Sequence, residues 1–203
     1  MSGYPIVLEG ESIVAVIVGG GRVAERKARS LLAAGARVRM VAPEFSAGVH
    51  ALGLSGEHCH LIQRAYRSDD LAGATLVVAA TNQRDVNARV AADALTRGQL
   101  VNVVDEPGAG NFVTPASHRS GDLIVAVTAG GVPAISARIR DALAERFDDR
   151  YSAAVSALAV LRRRLLDAGD REGWNRALGA LVTDGFCERV EAGGFAEEVA
   201  AWR

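Results

Sequence analysis

The sequence has few cysteines, no long apolar run and almost no net charge. Its two cysteines, Cys59 and Cys187, match no zinc-binding spacing. No apolar run approaches the roughly 20 residues that a bilayer-spanning helix needs, and no secretory leader opens the chain. We therefore expect a reduced, cytoplasmic protein. The net charge of −1 gives no reason to expect a nucleic acid or an anionic membrane as partner.

A glycine-rich turn near the N-terminus is the feature that most directly indicates a function. The apolar residues 13–18 lead into Gly19, Gly20 and Gly21, and a helical pattern follows. The spacing matches G-x-G-x-x-G/A, in which Gly19 makes the tight turn, Gly21 lets the backbone approach a phosphate and Ala24 seats the helix. An ordinary glycine loop is the alternative. The preceding strand and the following helix favour a dinucleotide site.

Strand and helix patterns alternate as far as residue 104, which predicts a parallel sheet with ligands beyond the carboxyl ends of its strands. The predicted strands are residues 13–18, 37–41, 58–63, 75–80 and 100–104. The predicted helices are residues 23–34, 44–54 and 85–96. A boundary near Thr114 separates this region from a strand at 123–127 and from helices at 134–147, 151–168, 171–182 and 195–202.

Polar residues after the predicted strands are the candidates for chemistry. Asp105 follows residues 100–104 and is the first candidate for a general base or acid, with a cap for the next turn as the alternative. Thr81 and Asn82 would face the cofactor, or form a plain turn. His118 would assist a proton transfer, or lie on the surface.

The residues after the second predicted strand bear on the choice between NAD and NADP. An acidic residue there commonly binds the ribose hydroxyls, and this chain has Val41, Ala42 and Pro43. Glu44, or the backbone of Pro43 and Glu44, would bind the ribose instead, and the absence of a basic residue favours NAD. The predicted cofactor-binding residues are Gly19, Gly20, Gly21, Arg22, Val23, Ala24, Pro43, Glu44, Thr81, Asn82 and Val104.

Two other clusters have competing interpretations. His58, Cys59 and His60 resemble metal ligands, but a structural metal needs four ligands and no matching cluster occurs elsewhere, so a solvated outer strand is favoured and no metal site is predicted. Residues 162–164 are three arginines within a helical pattern. They would bind a polyanionic small molecule or form a solvated helix face.

A longer series of motifs resembles one enzyme family over residues 4–145. The series comprises Tyr4-Pro5, residues 16–27, residues 79–82, Asn87, residues 102–107, Phe112, Pro115-Ala116 and residues 130–133. As an ordered set, it resembles the precorrin-2 dehydrogenase family, whose members also form the N-terminal part of siroheme synthase.

The resemblance implies an α/β fold with a Rossmann-like parallel-sheet domain at residues 1–113, a dimerisation region at 114–148 and a small all-helical domain at 149–203, assembled as a homodimer. It implies NAD-dependent oxidation of precorrin-2 to sirohydrochlorin, toward siroheme and in some organisms cobalamin. Asp105 matches the family aspartate implicated in proton removal and chelation. Some members also insert ferrous iron, and the motifs leave that activity open. The carboxylates of precorrin-2 predict a cleft with arginines such as Arg119 or Arg138.

The chain departs from the family at Ala129, where related siroheme synthases carry a serine-rich stretch, so regulation through a hydroxyl is not expected there. It has no counterpart of the methyltransferase half of the fused enzymes, so uroporphyrinogen methylation is expected to come from another protein. An NAD(H)-sensing module without catalysis is the alternative function. A short-chain oxidoreductase is disfavoured because Tyr4, Tyr66 and Tyr151 lack a lysine four residues later.

Overall fold

The structure is a computed structural model that describes residues 3–54 and 56–203. The chain divides into two compact units, which we call the N-terminal unit, ending at Thr114, and the C-terminal unit, Pro115–Arg203. The finer division into three domains, with boundaries at residues 113 and 148, stays a prediction.

The N-terminal unit is a five-stranded parallel sheet with helices on both faces, as the alternating pattern predicts. Its strands lie in the order β3-β2-β1-β4-β5. They are β1 (Val14–Val18), β2 (Arg37–Ala42), β3 (Cys59–Gln63), β4 (Leu76–Ala79) and β5 (Leu100–Val103). The helices are α1 (Arg22–Ala33), α2 (Ala47–Leu54) and α3 (Arg84–Thr96), with short 3₁₀ turns at Gly10–Ser12, Ser68–Leu71 and Pro107–Ala109. This arrangement is a Rossmann-like α/β fold.

The central strand β1 is buried on both faces, which explains its unbroken apolar sequence. Successive side chains of a strand point to opposite faces of the sheet. Ala15 and Ile17 therefore pack in the core that contains residues of α1 and α2. Val16 and Val18 pack in the core that contains residues of α3.

Gly35 terminates helix α1, whose last residue is Ala33 and whose C-cap is Ala34, and the sequence pattern also places the stop at this glycine. The backbone φ of Gly35 is +86°, a conformation that glycine adopts without strain. The N–H of Ala36 donates to the carbonyl of Leu31, and the N–H of Gly35 donates to that of Leu32, which forms a Schellman cap. The chain then turns directly into β2.

Predicted helix 44–54 is shorter than expected. Helix α2 begins only at Ala47, because the preceding residues are held by the glycine turn: the Ser46 N–H donates to the Gly20 carbonyl at 2.9 Å.

The C-terminal unit combines an antiparallel hairpin with five helices. The hairpin consists of β6 (Ala116–Ser120) and β7 (Leu123–Val127). The helices are α4 (Pro133–Arg146), α5 (Asp149–Asp167), α6 (Arg171–Leu181), α7 (Phe186–Ala192) and α8 (Phe195–Ala200). The sequence patterns miss β6 and α7. Strand β6 has the polar sequence Ala-Ser-His-Arg-Ser and depends on its pairing with β7, whereas α7 has only seven residues.

Helix α4 packs against the hairpin, and α5–α8 enclose a core of their own. Tyr151 is buried in this core, and its hydroxyl donates to Glu191 Oε1 at 2.7 Å. The Arg146 Nε donates to the same carboxylate oxygen at 2.6 Å.

Within the described ranges, no helix has the length and apolar character needed to cross a membrane.

An ion pair between the partly exposed Arg64 and the buried Asp70 lies in the connection between β3 and β4. The Asp70 carboxylate accepts hydrogen bonds from Arg64 Nη1 at 2.8 Å and Nη2 at 2.5 Å, and from the backbone N–H of Arg67 at 2.8 Å. Its side chain is 5% exposed. These hydrogen bonds, first of all those from Arg64, lower the pKa of the Asp70 carboxyl below its ordinary value.

We expect Asp70→Asn to lower the free energy of unfolding by roughly 2 kcal/mol at pH 7, because a charge-assisted pair is lost. The folded-state pKa is lowered, so the stabilisation is present above the unfolded-state pKa, about 3.9, and is lost as pH falls through the folded-state value. Urea unfolding at pH 7 and at decreasing acid pH measures the difference between wild type and variant. A difference that grows toward acid pH would contradict this assignment.

Candidate functional site

A cleft of about 760 Å³ lies along the carboxyl edge of the sheet in the N-terminal unit. The strands end there at one level: Val18 pairs with both Val41 and Ala79, and Ala79 pairs with Val103. The residues that follow β1, β2, β4 and β5 therefore meet at this edge. The cleft is lined by Val18, Gly19, Gly20, Gly21, Arg22, Val23, Val41, Ala42, Pro43, Glu44, Ala65, Tyr66, Ala80, Thr81, Asn82, Gln83, Val86, Arg89, Val104 and Asp105.

All predicted cofactor-binding residues except Ala24 line this cleft. Ala24 is a fully buried residue of α1. It packs in the same core as Ile17 of β1, which suits the seating role assigned to it in the glycine motif.

The glycine turn passes very close to two neighbouring backbone segments. A Cβ on Gly19 would overlap the carbonyl of Ala80, and a Cβ on Gly20 would overlap the carbonyl of Glu44. Gly19 also has a φ of +140°, and its N–H donates to the Val41 carbonyl at 2.9 Å. A Cβ on Gly21, by contrast, would enter open space. The first two glycines therefore permit the turn, and the third leaves room for a ligand.

Helix α1 begins at Arg22 and directs its N-terminus into the cleft. Gly21 is its N-cap and supplies no side-chain hydrogen bond. The first N–H groups of an α-helix have no partner within the helix, and they carry the positive end of its dipole. A pyrophosphate fits this position because it would accept those hydrogen bonds and complement that charge.

The loop between β4 and α3 is held by Asn87, which the sequence indicates only as part of the family motifs. Asn87 is buried, and its Oδ1 accepts hydrogen bonds from the Thr81 N–H at 3.1 Å and the Thr81 hydroxyl at 2.7 Å. Its Nδ2 donates to the Thr81 carbonyl at 3.0 Å. The backbone of Thr81 is thus fixed at the cleft wall, while the Asn82 side chain stays exposed.

Asp105 is exposed at the cleft, on a loop anchored at both ends. At one end the Val104 N–H donates to the Ala79 carbonyl at 3.0 Å. At the other end Asn111 Oδ1 accepts from the Val101 N–H at 2.7 Å, and its Nδ2 donates to the Gln99 carbonyl at 3.0 Å. The Asp105 carboxylate therefore projects from a fixed position beside the sheet edge.

Tyr66 and Arg89 also line the cleft, and neither is among the site residues predicted from the sequence. A signal for both was present. Tyr66 lies three residues after β3, which ends at Gln63, so it follows a strand at the same sheet edge. Arg89 is three residues after Val86 on α3, and this spacing places both side chains on one helix face.

Other predicted residues lie elsewhere. His118 is on β6 in the C-terminal unit, and its Nε2 donates to the Phe147 carbonyl at 2.8 Å. Arg119 and Arg138 are exposed in that unit, and their binding of substrate carboxylates stays a prediction. The three arginines at 162–164 are exposed on α5, where Arg164 Nη2 donates to the Trp202 carbonyl at 2.6 Å.

The His58–Cys59–His60 cluster is at the outer edge of the sheet. Cys59 is buried in β3 and both histidines are exposed. Within residues 3–54 and 56–203, no group of three or more His, Cys, Asp or Glu residues is placed to hold a metal ion.

We expect Gly20→Ala to destabilise the fold and Gly21→Ala to weaken dinucleotide binding without destabilising the fold. Gly20→Ala places a methyl group against the Glu44 carbonyl and should lower the free energy of unfolding by roughly 1–3 kcal/mol. Gly21→Ala should fold normally and weaken dinucleotide binding by on the order of tenfold, because the methyl group occupies the phosphate's approach. Urea unfolding and calorimetric titration measure the two effects. Unchanged dinucleotide affinity in folded Gly21→Ala would exclude phosphate from this position.

Comparison with known proteins agrees with this geometry. Residues 6–116 match the family described as "Putative NAD(P)-binding". The chain is 47% identical over 141 residues to a siroheme synthase of Chromobacterium violaceum, covering 69% of this chain and 30% of that protein. It is 37% identical over 193 residues to siroheme synthase 2 of Aeromonas salmonicida, covering 91% of this chain and 38% of that protein. The predicted resemblance to siroheme synthases is confirmed.

The chain spans about a third of the length of these curated relatives. The solved structure of SirC, precorrin-2 dehydrogenase, superposes with a TM-score of 0.78 at 24% sequence identity, covering 97% of this chain and 98% of that one. This similarity extends the shared fold to both units. The family match, the glycine turn and the open helix terminus together show that the chain belongs to the "Putative NAD(P)-binding" family and takes a nicotinamide cofactor.

Proposed function

We propose that this protein oxidises precorrin-2 to sirohydrochlorin with NAD as hydride acceptor, as a step toward siroheme or cobalamin. The observation that carries the proposal is the placement of Asp105 in the same cleft as the Gly19–Gly21 turn. The siroheme synthase relatives and the fold shared with SirC, precorrin-2 dehydrogenase, support it.

Different residues of the cleft bind the cofactor and accept the proton. The N–H groups at the start of α1 hold the pyrophosphate, and the Gly21 backbone leaves room for it. Bound NAD supplies the hydride acceptor. Oxidation of a saturated carbon pair removes a hydride and a proton together, so a base must accept the proton. The exposed carboxylate of Asp105 performs this step, and its anchored loop keeps it at the cleft.

NAD rather than NADP is the proposed cofactor, because the residues after β2 carry no positive charge. Pro43 and Glu44 line the cleft there and are exposed. A carboxylate at Glu44 accepts hydrogen bonds from ribose hydroxyls and repels a 2′-phosphate.

His118 is proposed as a second proton-transfer residue. Because its Nε2 donates to the Phe147 carbonyl, Nδ1 is the ring nitrogen through which His118 would exchange a proton. Ferrous iron is a proposed second substrate, with Asp105 and His118 as the residues to test in its insertion.

We expect Asp105→Ala to lower turnover by about 10²- to 10⁴-fold while NAD affinity stays nearly unchanged, because the carboxylate acts on the substrate's proton. The assay is anaerobic turnover of freshly generated precorrin-2, following NADH absorbance and the sirohydrochlorin spectrum, with NADP in place of NAD as a comparison. His118→Ala is measured in parallel, and ferrous iron is added last.

Each outcome of that assay has a distinct meaning. Turnover by wild type but equal turnover by Asp105→Ala would remove Asp105 from the mechanism. Tight NAD binding by wild type without turnover, under conditions that support a known dehydrogenase, would favour an NAD(H)-sensing module. Siroheme formation faster than in a no-protein control would establish iron insertion.

We further propose that the chain forms a homodimer through the region at residues 114–148. This region exposes several large apolar side chains: Ile124, Val132, Ile135 and Ile139 are 38–50% exposed. The β6–β7 hairpin has only two strands, so each has an edge with unpaired backbone groups. Both features are typical of an interface between copies.

Sedimentation equilibrium should give twice the 21.2 kDa chain mass for wild type. Ile135→Asp should yield monomers, because a carboxylate buried in an apolar interface pays an uncompensated desolvation cost. Leu178→Asp, which changes a similarly exposed apolar residue on α6, is the matched control and should remain dimeric. A monomeric wild type, or a dimeric Ile135→Asp, would overturn this interface.

A further inference from the structure

The two ends of the cleft differ in chemistry. Asp105 follows β5 at one edge of the sheet, whereas Tyr66 follows β3 at the opposite edge. The glycine turn after β1 lies between them. A dinucleotide whose pyrophosphate is held at this turn would extend its two nucleosides toward different ends. The nicotinamide belongs beside Asp105, where the proton is removed, so the adenosine extends toward the other end.

Tyr66 and Arg89 are joined by several contacts at that other end. The guanidinium carbon of Arg89 lies 5.2 Å from the centre of the Tyr66 ring. Arg89 Nη2 also donates to the Tyr66 carbonyl at 3.1 Å. These contacts fix the guanidinium group over the ring, although the Arg89 side chain is exposed to the cleft.

The Tyr66 ring is itself held in place. Tyr66 is 6% exposed, and its hydroxyl donates to Asp93 Oδ2 at 2.7 Å. Burial and the neighbouring Asp93 carboxylate raise the Tyr66 pKa, so the hydroxyl remains a donor at neutral pH. Arg89 and Asp93 are four residues apart on α3 and therefore contact Tyr66 from one helix face. The Tyr66 ring, held in this way, supports the planar guanidinium group of Arg89 at the cleft wall.

We propose that Arg89, positioned by Tyr66, is the adenine-binding residue of this cleft. A guanidinium group stacks on planar aromatic rings, and one with fixed orientation loses little freedom on binding. The adenine ring of NAD is the planar group that reaches this end. This assignment rests on the proposed use of NAD, and it makes α3 rather than the residues after β2 the source of affinity for the adenine base.

The test measures binding of NAD, NADP, AMP and nicotinamide mononucleotide to the full chain by calorimetric titration. AMP and nicotinamide mononucleotide are the two halves of NAD and report on the two ends separately. Arg89→Ala should weaken NAD and AMP about tenfold and leave nicotinamide mononucleotide unchanged, a loss typical of one base–side-chain stack. Arg89→Lys keeps the charge but loses the planar group, so it should weaken NAD and AMP similarly.

Arg84→Ala is the matched control, because Arg84 is an exposed arginine on the same helix that does not line the cleft. It should bind all four ligands as wild type does. Circular dichroism and urea unfolding of each variant establish that it is folded.

The outcomes separate this inference from the proposed function. A wild-type protein that binds neither NAD nor AMP would contradict the proposed function itself. Wild-type binding of NAD together with unchanged AMP affinity in both Arg89 variants would overturn the adenine assignment alone. A loss of affinity in Arg89→Ala that is confined to NADP would also overturn it, and so would wild-type affinity for NAD and AMP in Arg89→Lys. In either case Arg89 would act as a phosphate-binding charge.

Discussion

The close approach of three backbone segments at the end of β1 is the constraint on which the rest of the cleft depends. Gly19 lies against the Ala80 carbonyl and Gly20 against the Glu44 carbonyl, with no space for a side chain at either position. This close packing holds the loops after β2 and β4 against the turn after β1. The N-terminus of α1 then opens between them, and both walls of the cleft are placed within reach of one ligand.

Polar side chains within the N-terminal unit hold the loops that bear Thr81 and Asp105. Asn87 fixes Thr81 through three hydrogen bonds, and Asn111 fixes the far end of the loop that bears Asp105. A buried amide such as that of Asn87 costs free energy when left without partners, so its hydrogen bonds hold the loop in one conformation. Asn82 and Asp105 can therefore be exposed at the cleft without being loosely placed.

The sheet and the glycine site could be predicted from the sequence because local patterns determine them. Strands β1 and β4 are apolar throughout since both faces are buried, and the turn requires glycine for steric reasons visible in the spacing alone. Strand β6 could not be predicted in this way, because its polar residues form a strand only when β7 pairs with them. The Arg89–Tyr66 pair joins residues 23 positions apart. Its contact depends on how α3 packs against the sheet, which no local pattern encodes.

The side chain of Asn111 affects whether the edge strand β5 can pair with another chain. It occupies the backbone donor of Val101 and the backbone acceptor of Gln99, the groups that a further strand beside β5 would use. An open, apolar edge strand is a template for pairing with another chain and so for aggregation. By imitating a neighbouring strand with one amide group, Asn111 ends the sheet at five strands and protects this edge from unintended partners.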